Sequence, residues 1–396
     1  MRYYGIRLIS LLLVLCMLLW VPVSASELNW AQKLVGLQTA VDQDITGEGV
    51  VIGLIDSGLS QSYAETLNVI QGTNYLVTES SPDRHNTSDN VGHGTNVASI
   101  LADPVLGLVP DATLVPLKCF DSSSGSYAPI IEALYDAVDV YHCDVVNMSL
   151  GGTSNNAKLA AAVQYALDHG VILIAAAGNI SSGSTGNDRY YYPASYDGVI
   201  SVGAVSSSSI VSNTSVQNDR VWITAPGKYV PVYSKSGAYS TNSGTSIASP
   251  FVAAAAAMAL SVAPEITPED FATLLRHTVQ DLGAEGHDNS YGHGLLDLDA
   301  LLSAVIDSQL QLFHTDDGTV SGYCRPEIPV EVYHLSLVFY DADGRFVGMQ
   351  QRTVPGNLDV FSDIPLPTGC ADVKCFVTDV TFSPLQQAAY IKTTPS

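Results

Sequence analysis

The chain has 396 residues, 46% hydrophobic and 14% charged, which excludes disorder as the default and leaves room for one large domain or two. With 16 basic residues against 39 acidic ones the formal charge is −23, opposing attachment to nucleic acid or to an anionic membrane surface. The 6 cysteines show no zinc-ligand spacing.

The N-terminus carries Arg2 and Arg7, then an apolar run to about residue 21, then Val23-Ser24-Ala25 with small residues at the A-x-A positions. This pattern reads as a signal peptide, residues 1–25, cleaved after Ala25; the run is short for a membrane span, and no second span is expected. Its removal leaves 14 basic residues against 39 acidic, a net charge of −25. Cys119, Cys143, Cys324, Cys370 and Cys375 remain, enough for at most two disulfides. Cys119 and Cys143 lie in apolar, strand-like runs and read as buried thiols, which leaves one bridge possible in the tail.

From residue 49 to about 304 strand and helix patterns alternate. Residues 50–55 read as a buried strand. Ile130, Ile131, Leu134, Ala137, Val138 and Tyr141 then recur at helical spacing ahead of a strand at 144–150. Leu159, Ala162, Val163, Ala166 and Leu167 form the next helical face, closed by Gly170 before a strand at 171–177. Strand and helix in alternation predict an α/β fold with a doubly wound, mostly parallel sheet covered on both faces. Thr267-Pro268-Glu269-Asp270 opens another helix with Phe271, Leu274 and Leu275 inward. Beyond residue 308 the period changes to two, at 332–339 and 373–377, with a hairpin signal at Asp343-Gly344. The expected organisation is therefore an α/β unit over 26–308 and a small all-β C-terminal domain over 309–396, whose partner and role are unknown.

In an open parallel sheet, chemistry gathers at the carboxyl ends of the strands. Asp56 stands there in Leu54-Ile55-Asp56-Ser57-Gly58, where an aspartate is costly without a partner. His93, in Gly92-His93-Gly94-Thr95, precedes a helix bearing Val97, Ile100 and Leu101 on one face. The helix N-terminus disfavours an imidazolium, whereas a nearby carboxylate stabilises it once formed. Gly292-His293-Gly294 repeats the tripeptide without a comparable helix and reads as a turn. Gly244-Thr245-Ser246-Ile247-Ala248-Ser249-Pro250 opens a long apolar segment with no charged residue before Pro264, which suits a buried core helix. Ser246 at its mouth has the positive end of the helix dipole and unpaired backbone N–H groups beside it. By itself a helix cap is the simpler reading of that serine.

Asp-Ser-Gly, Gly-His-Gly-Thr and Gly-Thr-Ser-x-Ala-x-Pro, in that order, resemble the motifs of the subtilisin-like serine proteases, the subtilases of peptidase family S8, over about residues 30–304. The resemblance implies catalytic roles for Asp56, His93 and Ser246, with Asn179 in Ala176-Ala177-Gly178-Asn179 and the Ser246 N–H as the oxyanion hole. It places Ser149, Leu150 and Gly151 along one edge of an extended substrate, Gly125, Ser126 and Tyr127 along the other, and Ala177 and Gly178 in the wall beyond. It also implies a cis peptide at Tyr192-Pro193 and, since Pro193 follows three tyrosines, an aromatic wall that narrows the pocket there.

Four positions depart from the family's habit: Asn96 and Ser99 replace histidine and glycine, as do Phe251 and Ala254. Only 30 residues separate Ser26 from Asp56, so no inhibitory propeptide is expected between them. The segment 102–110 offers Asp103 as its sole carboxylate, and a hard calcium site needs six to eight oxygens, so neither a metal nor a cofactor is expected. Asp341-x-Asp343-Gly344 lacks the later ligands of a calcium loop and reads as a turn. The expected function is a secreted serine endopeptidase acting on peptide or unfolded protein, with no nucleic-acid partner. An acyl-transferring ligase or cyclase on the same site, and a non-catalytic peptide-binding or adhesion protein, are the alternatives.

Overall fold

The computed structural model describes residues 27–76, 82–122, 125–180, 188–306, 310–314, 319–324, 332–355, 359–378 and 389–392. The expected signal segment, its expected cleavage point at Ala25 and the expected boundary at 308/309 lie outside the described residues. Strands β1 (Val51–Asp56), β2 (Thr73–Asn74), β3 (Thr113–Lys118), β4 (Val145–Met148), β5 (Ile172–Ala176), β6 (Ile200–Val205) and β7 (Ile223–Pro226) form a seven-stranded sheet in the order β2-β3-β1-β4-β5-β6-β7. Every pairing in it is parallel. β1, β5 and β6 are buried almost throughout because helices cover both faces of the sheet, so they read as mostly apolar runs rather than as an alternation.

The two faces hold separate cores. One gathers the helices Trp30–Leu34, His93–Ala102, Thr245–Val262, Pro268–Thr278 and Leu298–Ile306; the other gathers Tyr127–Asp139 and Ala157–Asp168. Thr245–Val262 is apolar and long enough to cross a membrane, but it runs beneath the sheet and is buried almost throughout. Its alanines let β4, β5, β6 and the histidine-bearing helix approach closely. Thr267 caps Pro268–Thr278 in a capping box with Asp270, and Phe271, Leu274 and Leu275 face inward as their spacing predicts.

The strand expected at 144–150 is shorter, ending at Met148. Pairing with β1 stops at Asn147 and with β5 at Met148, so Ser149, Leu150 and Gly151 continue as free edge. Asp56, Ser149 and Ala177 thus fall at one end of the sheet, on either side of the place where strand order reverses around β1.

A hairpin of β8 (Val230–Tyr233) and β9 (Tyr239–Asn242) leads into the long helix. Beyond the α/β unit, β10 (Leu310–His314), β11 (Thr319–Cys324), β12 (Val332–Tyr340), β13 (Phe346–Pro355), β14 (Asp359–Pro365), β15 (Asp372–Thr378) and β16 (Ala389–Lys392) make antiparallel sheets of three and four strands. Their own core includes Tyr333, Leu335, Leu337, Phe339, Val373 and Val377. This all-β region also docks: Tyr323 and Val360 join the α/β core, and Arg276 bridges to Asp363 at 3.4 Å. Asp343-Gly344 is a turn, with Gly344 at φ +77° and Asp341 Oδ1 accepting the N–H groups of Asp343 and Arg345.

Candidate active site

β1 delivers Asp56 fully buried at its last residue. Its Oδ1 accepts the Ser57 N–H and lies 2.7 Å from His93 Nδ1. That contact assigns the His93 proton to Nδ1 and leaves Nε2 as the acceptor on the open side. The approach depends on two glycines: a Cβ on Gly94 would stand 2.1 Å from Gly58 O and 3.1 Å from Asp56 Oδ1. Gly58, at φ +100°, would bring a Cβ to 2.1 Å from Thr87 O.

His93 opens its helix after Gly92, which has no side chain to cap it. Asp89, absent from the sequence-based site, takes that place. Its Oδ1 accepts from Val91 N, Gly92 N and Ser57 Oγ, and its Oδ2 from Thr95 N and Thr95 Oγ1, all within 2.7–3.0 Å. A buried carboxylate with five donors locks the histidine turn to Ser57 behind Asp56. The available signal was an aspartate four residues ahead of the histidine. Burial pulls the His93 pKa down, but the Asp56 charge, its hydrogen bond and the Asp89 charge outweigh it, so the pKa lies above the ordinary value. The ring keeps 24% of its surface exposed.

Ser246 lies in the first turn of Thr245–Val262, where backbone N–H groups have no acceptor within the helix. Pro250 lacks the N–H that would bond the Ser246 carbonyl; Ser149 Oγ donates to that carbonyl instead, at 2.8 Å. The end of β4 is thereby tied to the serine turn. Asn179 follows β5, and its Oδ1 accepts the Thr245 N–H at 3.0 Å, which ties its side-chain amide to the serine turn. An ideal Cβ on Gly244, at φ +145°, would lie 3.3 Å from Ser246 Oγ and 3.5 Å from both Nδ2 and Oδ1 of Asn179, so the hydroxyl and the amide group border one small space.

Asn96 and Ser99, which depart from the family's habit, brace this arrangement. Asn96 donates to Tyr233 O and accepts from Asn242 Nδ2, and Ser99 Oγ accepts the Tyr233 N–H, joining the histidine helix to the hairpin that leads to Ser246. Phe251 and Ala254 are buried core residues. His93, Phe120, Ser126, Tyr127, Ile130 and Leu150 line a cleft of about 520 Å³ along the free edge of β4. Gly125 also borders it, Ser126 is extended, and Tyr127 is already the first residue of a helix. Ala177 and Gly178 are buried beyond β5. Tyr192–Pro193 is cis. Gly292-His293-Gly294 sits elsewhere, its histidine against Trp222 and His287.

Among the described residues, no group of three or more His, Cys, Asp or Glu side chains is arranged to hold a metal ion. Asp103 has both oxygens engaged, by the N–H groups of Val105 and Leu106 and by the Tyr63 hydroxyl.

Comparison with known proteins defines the class. Residues 47–294 match the Subtilase family (peptidase S8), and the chain belongs to that family: it is a serine-type endopeptidase whose substrates are peptides or proteins. Among individual relatives it is 39% identical over 267 residues to subtilisin DY of Bacillus licheniformis, covering 65% of this chain and 92% of the relative. To subtilisin E of Bacillus subtilis (strain 168) it is 37% identical over 265 residues, covering 65% and 67%. The crystal structure of MycP1 with its N-terminal propeptide removed superposes with a TM-score of 0.62 at 25% identity, over 69% of this chain and 96% of that one.

Proposed function

We propose that this subtilase is a secreted endopeptidase that hydrolyses peptide bonds through Asp56, His93 and Ser246. The observation that carries the reading is the 2.7 Å Asp56–His93 contact at the sheet end where Ser246 Oγ and the Asn179 amide group border one small space. Ser246 passes its proton to His93 Nε2 and attacks the scissile carbonyl carbon. The resulting oxyanion accepts from Asn179 Nδ2 and the Ser246 N–H, where one such donor is worth roughly 3–4 kcal/mol in the transition state. Asp56 holds the imidazolium meanwhile. His93 then gives the proton to the leaving amine, and water, activated by the same nitrogen, releases the acyl-enzyme. About a quarter of the His93 side chain stays exposed, which leaves it accessible to that water. Ser149, Leu150 and Gly151 offer a free strand edge to the substrate backbone, with Gly125, Ser126 and Tyr127 opposite and Ala177 and Gly178 behind. The signal pattern over 1–25 supports export, and the catalytic unit is assigned to 26–308 with the β domain after it.

The test is exposure of the mature chain and its Ser246→Ala variant to an active-site serine reagent and to a diverse pool of unstructured peptides. Label on Ser246 and peptide cleavage in the wild type only are expected. Equal turnover by both proteins refutes the assignment, and joined peptides as the main product would favour the transfer reading.

A further inference from the structure

The free edge of β4 has two sides, and they are filled differently. β4 and β5 are neighbours, with Met148 opposite Ala175, so the backbone runs that follow them, 149–151 and 177–179, form the two walls of a slot. The Tyr191 ring lies in that slot. A Cβ on Gly178 would stand 2.4 to 2.8 Å from three of its ring atoms, and one on Gly151 would stand 3.5 Å from Tyr191 Cβ and 3.7 Å from its Cδ1. The ring is held at both ends. Its hydroxyl donates to the Asn179 carbonyl at 3.1 Å, and its own carbonyl accepts the Ser195 N–H at 2.8 Å. The next residue, Tyr192, exchanges two backbone hydrogen bonds with Gly152, at 2.8 and 3.0 Å, which fixes the tyrosine segment against the strand edge. Gly178, at φ +116°, leaves the space that the ring occupies.

A substrate strand paired with 149–151 turns alternate side chains to opposite sides. With the scissile carbonyl in the space that Ser246 Oγ and the Asn179 amide group border, the residue that owns it points into the slot. The residue before it faces His93 and Phe120, toward the cleft of about 520 Å³ lined by Tyr127, Ile130 and Leu150. We infer that Tyr191 is a specificity-determining residue that closes the slot to all but small side chains, so that the enzyme cleaves after glycine, alanine or serine and takes its bulky apolar contacts further toward the substrate's N-terminus. This rests on the catalytic assignment above and adds the substrate class to it. A single methylene in an apolar pocket changes selectivity by about 10–200-fold, and a whole phenyl ring meeting the Tyr191 ring exceeds that.

The test uses N-capped tetrapeptide p-nitroanilides that are identical except for the last residue, alanine or phenylalanine, and reads the ratio of their kcat/KM values. The wild type is expected to favour alanine by at least about 100-fold; Tyr191→Phe, which keeps the ring, should retain the preference, and Tyr191→Gly should shift the ratio toward phenylalanine by about 100-fold or more. Should Tyr191→Gly fail to fold by circular dichroism, Tyr191→Val is expected to shift the ratio in the same direction, by at least about 10-fold. A wild type that prefers phenylalanine, or a ratio unmoved by the folded variant, overturns the inference while leaving Ser246-dependent turnover intact. Turnover of neither substrate above the Ser246→Ala background overturns the catalytic assignment, and this inference with it.

Discussion

The chain contains the tripeptide Gly-His-Gly twice, and the two copies live in opposite electrostatic surroundings. His93 starts a helix and meets Asp56 at 2.7 Å, with Asp89 behind; these carboxylates overcome its burial and raise its pKa. His293 sits in a turn, its ring edge-on to Trp222 at 4.7 Å and to His287 at 4.9 Å. Burial, His287 and Arg276 push its pKa down to about 4, and the Asp281 charge does not offset them. Identical local sequence therefore yields one base poised to accept a proton and one imidazole kept neutral. A carboxylate contributed by a distant strand makes the difference.

The largest test of this contrast is the pair His93→Ala and His293→Ala. On the proposed mechanism His93→Ala lowers kcat by about 10⁶-fold, the size of that effect in a subtilisin, whereas His293→Ala changes kcat by less than about threefold and only lowers the melting temperature. Comparable kinetic losses in both variants, measured on one peptide substrate, would erase the distinction.

Next in size is Asn179→Ala, which removes the amide donor without touching either histidine. A fall in kcat of about 10²- to 10³-fold at nearly constant KM is expected, a range that comes from a subtilisin. A change confined to KM would make Asn179 a ground-state binding group.

The smallest effect concerns acid stability, and its sign differs between the two histidines. His293 titrates near 4 and His277 near 3 in the folded protein, against 6.5 when unfolded. Below pH 6.5 the unfolded chain takes up protons that the folded one refuses, so stability falls with pH through that window and levels off once the folded values are passed. His93 acts in reverse: its raised pKa adds stability that is full below the unfolded value and is lost as pH rises through the folded value. Replacing His293 with glutamine should recover about 2 kcal/mol of the stability lost between pH 7 and pH 4, seen as a smaller drop in melting temperature. An unchanged drop would show that His293 is charged in the folded state. Catalysis should fail on acidification for the opposite reason, as His93 gains the proton that it must be free to accept.

Much of the fold was legible because its signals are local. Residues 50–55 and 171–177 are unbroken apolar runs, and the helix before the second of them is periodic and closed by Gly170. The strand at 144–150 was read two residues too far at its C-terminal end because Ser149 and Leu150 look the same whether or not a neighbour pairs with them; only the stopping points of β1 and β5 end the ladder. Asp56, His93, Asn179 and Ser246 were read as the candidate site from motif order. Asp89 was missed, since an aspartate before Asn-Val-Gly reads as an ordinary turn residue until Ser57 and Thr95 are seen to converge on it. Asn96 and Ser99 were recorded only as departures, because the hairpin strand that they hold lies more than a hundred residues away.

The sequence by itself determined a doubly wound α/β unit followed by a β-rich tail, together with the side chains proposed to perform acyl transfer. Apolar period, glycine punctuation and helix caps are properties of neighbouring residues, so they survive without a three-dimensional frame. The tertiary structure alone decided that the Ser246 carbonyl freed by Pro250 is taken by Ser149, that Tyr191 occupies the slot beside Gly178, and that Tyr323 and Val360 seal the tail onto the Pro268–Thr278 face. Each of these is a contact between residues far apart in the chain, and the partner of such a contact is set by how whole layers pack and by where their ladders stop.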